Sequence, residues 1–187
     1  MGWEVSVNIA APHFHRPNFV QRLKDILHTC PEVSPSRLEL EILESAALED
    51  MQYMRRMMQS CQDLGVRFAL DDFGTGFSSL SYLKRLPAET IKIDHSFVRG
   101  ILEDGDDLTL VKAIVALAAA FHRHVVAEGV ETAEHCAKLL ELGCERAQGY
   151  GIAKPMPAAD VLPWARDHAA RHAARAVQEA ARRSAST

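Results

Sequence analysis

Short apolar runs alternate with stretches of helical periodicity from one end of this chain to the other. Glu4 to Ile9, Leu38 to Leu43, Val66 to Leu70, Thr90 to Asp94, Val125 to Ala127 and Arg146 to Tyr150 read as six strands, rich in apolar and β-branched residues. Between them, Phe19, Val20, Leu23, Ile26 and Leu27 keep helical spacing behind Pro17, which predicts a helix to about Thr29. A methionine-rich helix is expected from about Ala46 to Leu64 with Gly65 as its stop, and a short one from Ser78 to Leu86 closed by Pro87. Further helices are predicted over Asp107 to His122, from the Thr132 cap to Leu142, and from Ala158 onward.

Strands that recur at intervals of roughly 25 to 35 residues match the βαβ unit, whose parallel pairing needs a long crossover. The expected fold class is therefore α/β with a parallel sheet. A closed barrel of this kind has eight strands and about 250 residues. The chain has 187 residues and six readable strands, so an incomplete TIM-like (β/α) barrel is predicted. Because Met1-Gly2-Trp3 runs almost directly into the first strand, the missing strands are expected at the N-terminus. Residues 1–164 are read as the partial barrel domain. Residues 165–187 are read as an Ala/Arg-rich helix with a frayed tail.

Composition narrows the function classes. A 48% hydrophobic content is enough for a sizeable core. A net charge of −4 argues against binding polymeric nucleic acid, which needs a basic face to displace counterions. The longest apolar stretch, Ile114 to Phe121, is far short of a membrane span, and no leader pattern opens the chain. Cys30, Cys61, Cys136 and Cys144 form no CxxC pair, which suits a reducing cytoplasm better than a disulfide framework or a zinc site.

The candidate chemistry lies at the ends of the strands. A parallel β/α fold gathers its strand C-termini on one face, which would bring Asn8, Glu41, Asp71, Asp72, Lys92, Glu128 and Gln148 together. Acidic groups crowded at one point repel each other unless cations sit between them. Taken singly, each residue has a plainer reading. Asp71-Asp72 before a glycine-rich stretch can be a turn and helix cap. Lys92 can be an outward strand residue, and Glu128 with Glu131 a helix-start pair favoured by the dipole. Met54, Met57, Met58 and Cys61 read as core packing, and the nine histidines lack ligand spacing.

Five segments carry a closer resemblance: Glu41-Ile-Leu-Glu44-Ser45, Asp71-Asp72-Phe73-Gly74-Thr75-Gly76-Phe77-Ser78-Ser79-Leu80, Ile91-Lys92-Ile93-Asp94, Ala127-Glu128-Gly129-Val130-Glu131 and Gln148-Gly149-Tyr150-Gly151-Ile152-Ala153-Lys154-Pro155-Met156-Pro157. In order and spacing they resemble the EAL-domain family of cyclic di-GMP phosphodiesterases. That resemblance implies a modified (β/α)₈ barrel with one reversed strand, and hydrolysis of cyclic di-GMP to linear pGpG with two Mg²⁺ or Mn²⁺ ions. It casts Asn8, Glu41, Asp71, Asp72 and Glu128 as metal ligands, and Lys92, Glu128 and Glu131 as catalytic. Glu44 corresponds to the glutamate that anchors the loop after the aspartate pair. Phe73, Gly74, Thr75, Gly76, Ser78, Ser79, Asp94, Gln148 and Pro155 correspond to loop or substrate-contacting positions.

Two departures stand out. The Glu-Ala-Leu segment that names the family is absent, together with the first two family strands. Leu43 stands where the family usually has threonine. The chain is accordingly expected to be a shortened domain from a larger cytoplasmic signalling protein or an incomplete reading frame. It is expected to be weakly stable, prone to homodimer formation or other self-association, and impaired in activity. A sensory or diguanylate cyclase domain is the expected neighbour in a parent protein. The alternative class is a non-catalytic module that binds cyclic di-GMP or a protein partner. A third reading is a barrel acting on a different phosphate ester.

Overall fold

The fold is seen in a computed structural model that describes residues 3–76 and 83–185. Ser78, Ser79 and most of the short helix expected after them lie outside the described residues. Six parallel strands form one sheet in sequential order: β1 (Val5–Asn8), β2 (Leu38–Leu43), β3 (Arg67–Phe73), β4 (Thr90–Ile93), β5 (His124–Ala127) and β6 (Arg146–Ala147). The described helices are α1 (Ala11–Phe14), α2 (Phe19–Thr29), α3 (Glu44–Glu49), α4 (Met51–Gln62), α5 (His95–Gly100), α6 (Gly105–Ala120), α7 (Ala133–Glu141) and α8 (Ala158–Ala185). This is a half-barrel of the TIM-like type, built from repeated strand and helix units. The chain divides into two compact units, Met1–Ile152 with the sheet and Ala153–Thr187 with α8. Within the second unit, the Trp164 ring stacks on His168 at 4.7 Å.

Period-two alternation sorts the strand residues onto two faces. Leu40, Ile42, Phe68, Leu70, Ile91 and Ile93 are all buried in the apolar core with Met54, Met58 and Cys61 of α4 and Val111, Ile114 and Ala118 of α6. Glu39, Glu41, Ala69, Asp71, Thr90 and Lys92 occupy the opposite, concave face. All four residues of β4 are buried, as expected for a central parallel strand. All four residues of β1 are exposed, with Val5 at 58% and Val7 at 40%, and among the described residues β1 pairs with β2 alone.

The elements differ from the sequence expectation in several places, the short α1 among them. The single helix expected from Ala46 to Leu64 is two, because Asp50 leaves helical geometry and its side chain accepts from the Tyr53 amide at 3.0 Å, capping α4. Strand β3 does not stop at Leu70. Burial of Phe73, paired with Ile93, draws the chain onward, and the register slips between Leu70 and Phe73. Asp94 caps the unexpected α5, accepting from the Ser96 amide at 2.8 Å. Strand β6 ends at Ala147, two residues before Gly149. The four cysteines are free, and burial pushes the Cys61 thiol up to about 12. Among the described residues, no helix is long and apolar enough to cross a membrane.

Candidate active site

At the C-terminal rim of the sheet, Lys92 of β4 is the hub. Its side chain is 5% exposed, and Nζ donates to Glu41 Oε2 at 2.6 Å, Glu128 Oε1 at 2.7 Å and Asp71 Oδ1 at 3.0 Å. These carboxylates come from β2, from the residue after β5 and from β3. With its amide nitrogen turned toward the rim, Asn8 at the end of β1 donates to Asp71 Oδ2 and Glu41 Oε2, both at 3.2 Å. Five consecutive strands thus each deliver one polar side chain to one point. Burial works against the Lys92 charge, but the bonds to Glu128, Glu41 and Asp71 outweigh it and hold the ammonium well above its usual range. Burial raises the Glu128 carboxyl above its usual range despite the opposing pull of Lys92.

Asp72 is the extra residue of the β3 bulge and adopts a left-handed φ of 53°, uncommon outside glycine and tolerated best by Asn and Asp. That twist turns it away from the alternation of β3. One oxygen each of Asp71, Asp72 and Glu128 can lie within 4.8 Å of one another, an arrangement that could hold a metal ion. Burial raises the Asp72 carboxyl, and the charge of Asp71 and a shared hydrogen bond with Asp94 raise it further. Asp94 moves the opposite way: burial would raise it, but the Ser96 hydroxyl and amide hold it below its usual range. His95 Nδ1 lies 3.3 Å from Asp94 Oδ2.

Behind the aspartate pair, Glu44 is 1% exposed and its Oε2 accepts from the Gly74 amide at 2.8 Å. Gly74 has a φ of 102°, and a Cβ there would sit 3.0 Å from Phe97, so both torsion and space require glycine. The Thr75 hydroxyl donates to the Asp72 carbonyl at 2.9 Å. Gly76 faces the Glu44 carboxylate, 3.6 Å from where its Cβ would be, and Phe73 is buried in the core.

Glu131 and Gln148, also expected in the site, are not among the partners of Lys92. Glu131 is exposed, and its Oε1 accepts from Arg99 Nη2 at 3.4 Å. Gln148, one residue past β6, is held at the rim by its backbone, with its amide on Ala127 and its carbonyl accepting from Val130. Pro155 lies in the second unit. Arg99 escaped the sequence reading because it belongs to the helix that was not expected. Asp94-His95-Ser96 did carry a signal for that helix, since an aspartate followed two residues later by serine is a common cap arrangement.

The family model for the EAL domain matches residues 2–155. The chain is 41% identical over 162 residues to a bifunctional diguanylate cyclase/cyclic di-GMP phosphodiesterase, MucR, of Pseudomonas aeruginosa, covering 86% of the chain and 23% of the relative. It is 39% identical over 165 residues to the cyclic di-GMP phosphodiesterase PdeR of Escherichia coli, covering 86% and 24%. The chain therefore spans about a quarter of the length of these curated relatives. Among solved structures, a PaMucR phosphodiesterase in complex with c-di-GMP superposes with a TM-score of 0.81 at 40% identity, over 85% of this chain and 64% of that one. A manganese/cy-diGMP complex of Klebsiella pneumoniae BlrP1 superposes with a TM-score of 0.75 at 30% identity, over 81% and 39%. With five motif segments in order, an acidic rim around a buried lysine and a matching fold, the chain belongs to the EAL domain family.

Proposed function

We propose that this chain is the catalytic part of a metal-dependent phosphodiesterase that hydrolyses cyclic di-GMP to linear pGpG. The observation that carries the reading is the rim itself: one ammonium held by three carboxylates, with Asp72 and Asn8 beside them. The donor set consists of oxygens, as hard divalent cations prefer, and burial together with Asp71 and Asp94 already strains the Asp72 charge. Asn8, Glu41, Asp71, Asp72 and Glu128 would hold two Mg²⁺ or Mn²⁺ ions. Bound there, the ions would activate water and neutralise charge on the phosphate.

The chain's own groups account for the rest of the site. Lys92 keeps its proton, and once one of its three carboxylates turns to the ions the freed Nζ–H would orient the attacking water. The water oxygen bonds to phosphorus and gives up a proton to a rim carboxylate, the bond from phosphorus to the 3′ oxygen breaks, and a proton passes back to that oxygen to leave a hydroxyl. The Glu44 bond to the Gly74 amide sets the start of the loop beside the reacting phosphate. Glu131 with Arg99, and Gln148, would contact the rest of the dinucleotide. Attachment to sensory or cyclase domains of a parent protein belongs to the same reading, since the relatives are about four times longer.

The test is incubation of the purified chain with cyclic di-GMP and Mn²⁺ beside a Lys92→Ala control. Lysine-dependent release of pGpG is expected. Saturable binding without turnover would replace the enzyme with a binding module. Turnover of simple phosphodiesters without turnover of cyclic di-GMP would overturn the substrate.

A further inference from the structure

One level below the rim, the concave face holds a buried carboxylate that neither the motifs nor the proposed chemistry uses. Glu39 is 9% exposed and precedes Glu41 by two residues on β2, so both point to the same face about 7 Å apart along the strand. Its Oε2 accepts from Ser6 Oγ of β1 at 3.0 Å, and its Oε1 accepts from Thr90 Oγ1 of β4 at 2.6 Å. Ser6 is its register partner on the neighbouring strand, but Thr90 is two strands away, with β3 between.

The crossing to Thr90 depends on two features. Between β2 and β4, β3 contributes Arg67, the register partner of Glu39, and Ala69, registered against Thr90, whose small side chain occupies little of that face. Strands two apart in a flat sheet lie about 9.6 Å from each other, so a direct bond between their side chains also needs a curled sheet. Directly above, Lys92 and Glu41 make the same crossing from β4 to β2 at 2.6 Å. Two polar braces are therefore stacked, one within the proposed site and one beneath it. A buried carboxylate carries a desolvation cost that an apolar residue at Glu39 would not. Its two hydroxyl donors and the Arg67 charge on the adjacent strand offset that cost in one geometry only, so the residue fixes position more than it adds bulk stability.

We infer that Glu39, held by Ser6 and Thr90, is a positioning residue for the rim. It sets how far β1 and β2 curl toward β4, and thereby how closely Asn8 and Glu41 approach Lys92. The inference deepens the phosphodiesterase reading and rests on it for its functional meaning.

The experiment compares Thr90→Val, which keeps shape and loses the donor, with Thr90→Ser, which keeps the donor. Leu139→Ala in α7, fully buried and outside the site, controls for general destabilisation. The readouts on the full chain are the reductive-methylation rate of Lys92 by mass spectrometry, Mn²⁺ affinity, and kcat and KM for cyclic di-GMP. Thr90→Val is expected to speed Lys92 labelling several-fold and to weaken Mn²⁺ binding about 10-fold, a typical effect of losing a group that orients metal ligands. Thr90→Ser should restore both, and Leu139→Ala should lower only the melting temperature. Unchanged labelling in Thr90→Val, no rescue by Thr90→Ser, or an equal change in Leu139→Ala would each overturn the inference. Labelling needs neither metal nor substrate. An unmodified chain that shows this pattern but no turnover would sink the enzyme reading and leave the brace standing.

Discussion

Two sets of charges sit at opposite ends of the same sheet, and they obey opposite rules. At the rim, Glu41, Asp71, Asp72 and Glu128 crowd around a single ammonium, and burial holds Asp72 and Glu128 above their usual ranges. Where the strands begin, Arg67 pairs with Glu4 at 3.0 Å among the charges of Glu39 and Glu89, with the Glu4 side chain 52% exposed. The Arg67 hydrogen bond, which outweighs a small burial effect, pulls Glu4 below its usual range. A carboxyl raised in the folded state costs stability once ionised: the loss sets in as pH rises from its unfolded value through its folded one. A carboxyl lowered in the folded state contributes stability above its unfolded value, and that stability is lost as pH falls through its folded one. The rim therefore stores unfavourable charge, which suits a place that receives a cation, whereas the far end simply ties two strands together.

Removing Lys92 should sharpen the contrast most. Lys92→Met leaves Glu41, Asp71 and Glu128 buried without their counter-ion, a change that typically costs about 3 to 5 kcal/mol. For a chain of this length each kcal/mol moves the melting temperature by about 2 to 4 °C, so a fall of roughly 10 °C is expected in EDTA. Mn²⁺ should recover part of it, since a ligand that binds only the folded state stabilises it. A melting temperature in EDTA equal to that of the unmodified chain would show that the three carboxylates do not depend on Lys92.

Asp72→Asn should act in both directions at once. Asparagine tolerates the left-handed φ and removes the charge that Asp71 and Asp94 oppose, so the metal-free chain should melt a few degrees higher. The same change deletes a proposed ligand, and the Mn²⁺-induced rise should shrink or vanish. Thermal scans with EDTA and with Mn²⁺ measure both effects. A variant that is destabilised without metal and still responds fully to Mn²⁺ would place the stored charge elsewhere.

The same physics explains what could be read from the residues and what could not. All six strands are located within one residue at their start, because parallel strands such as the fully buried β4 are written as unbroken apolar and β-branched runs. The convergence of Asn8, Glu41, Asp71, Lys92 and Glu128 follows from strand ends alone. Asp72, expected there as well, does lie with Asp71 and Glu128, but it arrives through a bulge driven by burial of Phe73, a tertiary effect that strand ends alone do not announce. The break at Asp50 turns on a single capping bond that competes with helical periodicity running straight through, and the start of α5 turns on the Asp94 cap with Ser96. Glu39 and Thr90 share parity with Glu41 and Lys92, but their contact skips a strand, and curvature is not legible in a pattern of period two.

The smallest effect separates the two ends most cleanly. Glu4→Gln removes the exposed half of a charge pair whose guanidinium is mostly buried, worth about 0.5 to 1 kcal/mol after solvent screening. The loss should be visible in denaturant unfolding at pH 7, shrink in high salt, and fade as acidification protonates Glu4 in the unmodified chain. The Lys92→Met deficit should also shrink on acidification, but for a different reason: Glu128, already raised by burial, protonates first and relieves the repulsion at higher pH than Glu4 titrates. Salt should alter that deficit far less, because the rim is buried. A Glu4→Gln effect that resists salt while the Lys92→Met effect collapses in it would reverse the assignment of which end is built around mismatched charge.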